Sequence, residues 1–177
     1  MYKENSKVIS LPKTQSASLF VGLAVFATIL PFFIHLQWIT GPLVNAVLLI
    51  ALFILGTRSA VVIGVVPSLM ALAGGLLPVI MAPVVPFIMV SNALFVLSSK
   101  YFYDKMLTKN NSYIYATVIA SILKFIFLYL SANYILHYIV KSAVASKVVL
   151  LFSWPQLSSS LIGSMIAFVV LKYLRRI

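Results

Sequence analysis

Apolar runs separated by short polar or basic links make up nearly the whole chain. A helix that crosses a bilayer needs about 20 predominantly apolar residues, and fewer where the bilayer is thinned. On that measure six segments emerge, at approximately 16–34, 40–55, 59–77, 83–103, 112–138 and 147–173. The second and third are short, and only Gly56, Thr57 and Arg58 separate them, which predicts a tight antiparallel hairpin. The pattern therefore predicts an all-α fold: a polytopic membrane protein with a bundle of six transmembrane helices. Residues 1–177 form a single domain, with 1–15 as a polar, basic N-terminal tail. No internal repeat, linker or low-complexity tract interrupts it.

Composition supports the bilayer as solvent. The chain is 63% hydrophobic, and its acidic residues are Glu4 and Asp104 alone. Its mean hydropathy is +1.13. A soluble domain carries charge on roughly a quarter of its residues. The formal charge of +11 raises the question of nucleic acid. The basic residues, however, lie mostly in the links, where they encode membrane topology and not a binding face. With the N-terminus inside, the inner side collects Lys3, Lys7, Lys13, Arg58, Lys100, Lys105, Lys109, Lys172, Arg175 and Arg176. The outer side receives Lys141 and Lys147. That bias predicts an even number of spans and places both termini in the cytoplasm, with the protein in the cell membrane. The first apolar run lacks a small-residue cleavage site and reads as a retained span.

Lacking cysteine and offering only His35 and His137, the chain predicts no metal site and no disulfide. No segment contains an acid, which argues against a carboxylate proton relay or sodium site. There is no GxxxxGK[ST] motif, so any ATP-driven work needs a partner. No catalytic constellation and no cofactor are expected.

Within so apolar a chain, polar residues at membrane depth are the pointers to function. Lys124 lies eleven residues into the fifth segment from Tyr113, about 16 Å from its inner end. Exposing a lysine to lipid there costs on the order of 3 kcal/mol or more. Thr117, Ser121, Lys124 and Ser131 fall on one helical face, which should look into the bundle. With no acid in another span, Lys124 has to use neutral acceptors, lose its proton, or meet an anionic or acceptor-rich ligand. Asn92 lies at similar depth, as a ligand group or as interhelical glue. The stretch His35-Leu36-Gln37-Trp38-Ile39-Thr40-Gly41-Pro42-Leu43-Val44-Asn45 is a polar, aromatic break on the outer side, with Gly41-Pro42 expected to set the turn into the second helix. It shares that side with the sequence Trp154-Pro155-Gln156 at the start of the last segment. Asn133, Tyr134, His137 and Tyr138 end the fifth segment there as an interfacial belt. His35, Gln37, Trp38, Asn45, Asn92, Lys124, Trp154 and Gln156 are thus candidates to line a solute pocket. Interfacial anchoring accounts equally well for the two tryptophans. Pro67, Gly74-Gly75, Pro83, Pro86 and Pro155 interrupt helices mostly in the outer half, as simple packing or as the wall of a cavity.

Several stretches resemble the substrate-binding S components of energy-coupling factor (ECF) vitamin transporters. They are HLQWITGPLVNAVLLIALFILGTRSAVVIGVVPSL, PFIMVSNALFVLSSKYF, ASILKFIFLYL and WPQLSSSLIGSMIAFVVLKYL. The resemblance implies a subunit, not an enzyme, that captures a small vitamin, cofactor precursor or related heterocycle near the outer surface. It further implies association with a transmembrane T component and two cytoplasmic ATPase subunits. The same analogy names His35, Gln37, Trp38, Asn92, Lys124, Trp154 and Gln156 as ligand groups. The family's Ala-xxx-Ala docking motif in the first helix is absent in strict form; Ser18-xxx-Gly22 and Ala24-xxx-Thr28 are small-residue substitutes. The absence of buried acids favours a neutral or anionic solute over a cation. A noncatalytic scaffold subunit of a membrane assembly, of the rod-shape type, is the alternative. A membrane enzyme using Lys124 or His35 ranks below both for want of a general-acid partner.

Overall fold

A computed structural model describes residues 12–33, 37–73, 79–106, 111–136, 149–150 and 152–177. These residues are helical, without strands. Six α-helices occur: α1 (Lys13–Phe33), α2 (Gln37–Leu55), α3 (Thr57–Ala73), α4 (Val85–Lys105), α5 (Ser112–Leu130) and α6 (Trp154–Tyr173). A 3-10 helix over Val79–Val84 leads into α4, and a π-helical turn over Ser131–Leu136 continues α5. Four stretches are long and apolar enough to cross a membrane: Trp38–Leu55, Ala82–Lys105, Ser112–Tyr134 and Trp154–Tyr173. The apolar parts of α1 and α3, Lys13–Ile29 and Thr57–Met70, are shorter. His35, Gly74, Gly75, His137, Tyr138, Lys141, Lys147 and the tail before Pro12 lie outside the described residues.

The helix–link–helix arithmetic holds best at the second and third helices. One residue, Gly56, separates them, with φ of 91°. That left-handed conformation favours glycine. The Gly56 N–H donates to the carbonyls of Ala51 and Leu52, both at 3.1 Å, and its own carbonyl accepts from Ala60 N–H. The α2 C-terminus is thereby closed and α3 begun at once.

Helix α2 is central. Asn45 through Leu49 are five consecutive buried residues, so no face of that turn meets solvent or lipid, as an interior helix requires. It packs against α1, α3, α4 and α6. Helix α4 pairs with α5 and also touches α3, while α1 lies at the edge against α3 and α2. The main core joins Leu48, Leu49 and Leu52 of α2 to Ile63 of α3, Phe95 and Val96 of α4, Ala120 of α5 and Leu171 of α6. At the end carrying Arg58, Lys100 and Lys172, aromatic rings tie these helices together. Phe53 meets Tyr103 edge-on at 4.8 Å and Tyr113 at 5.4 Å, and Tyr113 meets Phe168 at 5.5 Å. The Tyr113 hydroxyl also donates to the Ser164 carbonyl at 2.9 Å, joining α5 to α6.

The serines of α6 keep their hydroxyl protons at home. Ser158, Ser159, Ser160 and Ser164 donate to the carbonyls of Trp154, Gln156, Leu157 and Ser160, within their own helix.

Two boundaries differ from expectation. The polar stretch after the first apolar run is not a long loop, because α2 already starts at Gln37. Gly41 and Pro42 therefore sit inside α2 and set no turn. What Gly41 permits is a close approach: a Cβ there would lie 3.0 Å from the Ser159 Cβ of α6. The same crossing is tighter at Gly163, where a Cβ would lie 2.6 Å from the Pro42 carbonyl oxygen and 2.7 Å from the Asn45 Cβ. The sixth apolar run likewise yields α6 only from Trp154, with Pro155 in its first turn, where its missing N–H is harmless. Pro67 lies inside α3 without ending it.

Gly163→Ala is expected to destabilise the bundle by about 1–3 kcal/mol, because backbone as well as side chain has to move. Gly22→Ala, whose added Cβ would have nothing within 4 Å, should leave stability within about 0.5 kcal/mol. Thermal unfolding of the two variants in detergent checks the contrast.

Candidate functional site

Three helices bring one polar side chain each to a single point. Lys124 of α5 donates from Nζ to the Asn45 Oδ1 of α2 at 2.7 Å and to the Asn92 Oδ1 of α4 at 2.8 Å. All three residues are buried, with 3–5% of their surface exposed. Helical spacing explains why they meet. Lys124 shares its face with Thr117, Ser121 and Ser131, all buried, so the α5 polar stripe turns inward as expected. The antiparallel α4 offers Asn92 and, one turn on, Phe95, whose ring centre lies 5.3 Å from Nζ. A cation at that distance from an aromatic face is attracted by its quadrupole.

The asparagines are fixed by their other ends. Asn45 Nδ2 donates to the Gly41 carbonyl at 2.9 Å and to the Ser159 Oγ at 3.2 Å. Asn92 Nδ2 donates to the Gly64 carbonyl of α3 at 2.9 Å, and a Cβ on Gly64 would lie 3.2 Å from the Asn92 Cβ. Both amides thus aim their oxygens at Lys124 because their nitrogens are committed elsewhere. The hub ties α2, α3, α4, α5 and α6 through hydrogen bonds, with no acidic group in it. Among the described residues, Asp104 is the carboxylate, and it pairs with Lys100 at 2.7 Å on the exposed end of α4. Two hydroxyls, Ser121 Oγ one turn before Lys124 on α5 and Ser99 Oγ two turns beyond Asn92 on α4, are buried without a hydrogen-bond partner among the described residues.

A second apolar cluster lies further along α5 from Lys124, on the side away from Arg58 and Lys172. Leu128, one turn beyond Lys124, packs with Val84, Ala132 and Phe152, and Phe87, Ile88, Phe127 and Val149 close around them. Val84 belongs to the 3-10 helix, Ala132 to the π turn, and Phe152 to the turn before α6. This cluster thus joins the ends of α4 and α5 to the turns beside them.

The two tryptophans stand at the surface and not in the hub. Trp38 and Trp154 are 65% and 69% exposed, on the first turns of α2 and α6. Trp154 stacks on Phe125 at 5.7 Å. Gln156 is half-buried, and its backbone carbonyl accepts from Ser159 Oγ. Asn133 donates to the Tyr129 carbonyl at 2.8 Å, and Tyr134 is exposed. His35 and the side chain of Gln37 lie outside the described residues. Of the docking candidates, Ser18 and Gly22 line an open groove along α1 with Thr14, Gln15 and Leu19. The pair Ala24 and Thr28 is joined internally, the Thr28 hydroxyl donating to the Ala24 carbonyl at 2.7 Å.

Sequence reasoning missed Ser159, Phe95 and the Gly64 carbonyl. A serine in a run of three gives no sign of which one turns to a neighbour, and a backbone carbonyl has no signature at all. Comparison with family models, with curated proteins and with solved structures finds no match.

Replacing Lys124 by Ala leaves two buried amide oxygens unpaired, each costing about 1–3 kcal/mol. A double-mutant cycle between Lys124→Ala and Asn92→Ala, read from unfolding in detergent, should give a coupling of about 0.5–2 kcal/mol. Coupling indistinguishable from zero would remove Asn92 from the hub.

Proposed function

We propose that this protein is the membrane-embedded, substrate-capture subunit of an ATP-driven uptake transporter of the ECF type. In this reading its six helices span the cell membrane with both termini in the cytoplasm. Its solute is a small, neutral or anionic vitamin, cofactor precursor or heterocycle, taken from outside. The observation that carries the reading is the hub of Lys124, Asn45 and Asn92: polar groups from three helices converge at depth, with no acid beside them among the described residues. Such a set of donors and acceptors suits recognition of a solute. Entry past the ends of α4 and α5, where Val84, Ala132 and Phe152 cluster, would not require unpacking helix interiors, and small residues tolerate close approach of a partner along α1. The T component and two ATPase subunits supply the energy that this chain, without a nucleotide motif, cannot.

The mutual bonding of the hub favours a second reading, an integral scaffold subunit in which Lys124 and the asparagines only fix the helices. Native mass spectrometry of the protein purified from its own host separates the two. Capture requires a bound small molecule and co-purifying ATPases; a scaffold brings other membrane proteins and lipid alone.

The orientation is separately testable because the chain has no cysteine. Single cysteines at Trp38 and Arg58 should differ in intact cells. An impermeant maleimide is expected to label position 38 and to reach position 58 only after permeabilisation, and the reverse result would invert the topology.

A further inference from the structure

Resting on the solute-capture reading, we propose that Lys124 receives the carboxylate of a monoanionic solute, and that the oxygens of Asn45 and Asn92 hold that place when no solute is bound. Charge comes first. The chain's acids are Glu4, in the basic tail, and Asp104, which is engaged by Lys100. A lysine held at 2.7 and 2.8 Å by two neutral amide oxygens therefore has dipoles around it but no counter-charge from its own bundle. A carboxylate oxygen forms a charge-assisted bond roughly twice as strong as a neutral one, so it displaces an amide oxygen from Nζ.

The displaced groups have a use. Asn92 Nδ2 commits one of its two hydrogens to the Gly64 carbonyl, so its other hydrogen can serve the incoming anion without turning the amide. Ser121 lies three residues before Lys124 on the same face, and its buried, unpartnered hydroxyl is a further donor.

Stoichiometry fixes the charge. One cation balances one negative charge, whereas a dianionic phosphate would leave net charge in an apolar bundle and a cationic solute would double it. Phe95 beside Nζ, with Phe87, Phe127 and Phe152 in the second apolar cluster, suits an apolar or aromatic body behind the carboxylate. The ligand class is a small monocarboxylate with such a body.

The test uses the full-length protein in detergent and three acid–amide probe pairs: nicotinate with nicotinamide, biotin with biotinamide, and lipoate with lipoamide. Thiamine serves as the cationic probe, and binding is read by calorimetry. At least one acid should bind about 100-fold tighter than its amide and than thiamine, because only the acid answers a buried charge. Asn45→Asp places a carboxylate beside Lys124 within the chain, at the loss of the Nδ2 bond to the Gly41 carbonyl; in protein that keeps its helical content, acid binding should then fall about 30-fold or more. Lys124→Met should bring acid and amide to within about threefold of each other. An amide or thiamine binding as well as the acid, or acid binding unmoved in Asn45→Asp, overturns the carboxylate assignment and leaves solute capture standing. No probe binding at all, together with no small molecule released from protein purified from its own host, overturns both.

Discussion

A single amine, Lys124, sets the terms for the packing of this bundle. An ammonium group in an apolar interior is tolerable only where acceptors surround it. The acceptors have to come from neighbouring helices, because a lysine in mid-helix finds its own backbone carbonyls already engaged. Asn45 and Asn92 supply them from α2 and α4. Each asparagine then needs its own nitrogen satisfied, which recruits Gly64 of α3 and Ser159 of α6. The chain of obligations runs outward from one charge until five helices have a fixed relation. Apolar packing between helices in lipid gives little directional preference, since lipid tails are as apolar as leucine. Hydrogen bonds at the hub provide the register that leucines cannot.

Close approach is the second constraint. The hub spans short distances, so the helices bearing it have to come together, and glycine stands where they do. Gly163 faces the backbone of α2, Gly41 faces Ser159, and Gly64 faces Asn92. These three positions flank the hub and make it geometrically possible. The aromatic ties of Phe53, Tyr113 and Phe168 hold the far end of the same helices. The bundle is thus pinned at two levels, with a polar pin at depth and an aromatic one toward the basic links.

How far the sequence could be read depended on the kind of information each residue carries. The helices were legible because apolar run length is a direct property of composition. Lys124 and Asn92 were legible as buried, since mid-span polar residues have nowhere else to go, and the inward stripe of Thr117, Ser121 and Lys124 follows from periodicity alone. The start of α2 was not, because Gly41 and Pro42 signal a turn in most contexts and are helical here only through packing on α6. That shift carries Asn45 a full turn into the bundle, where it becomes a partner of Lys124 and not part of a surface break. Trp38 and Trp154 went the other way. A tryptophan beside polar residues reads the same whether it lines a pocket or faces the interface, and only the folded positions of α2 and α6 separate the two.

The serines of α6 have one more consequence. With Ser158, Ser159, Ser160 and Ser164 each donating to a carbonyl of their own helix, the hydroxyl protons are withdrawn from neighbours and from lipid. A segment whose composition looks amphiphilic thereby packs with its donors internally satisfied, and the small size of serine is kept. The α6 hydroxyls thus cost the apolar interior no unmet donors, while their oxygens stay available as acceptors, as Ser159 Oγ is for Asn45.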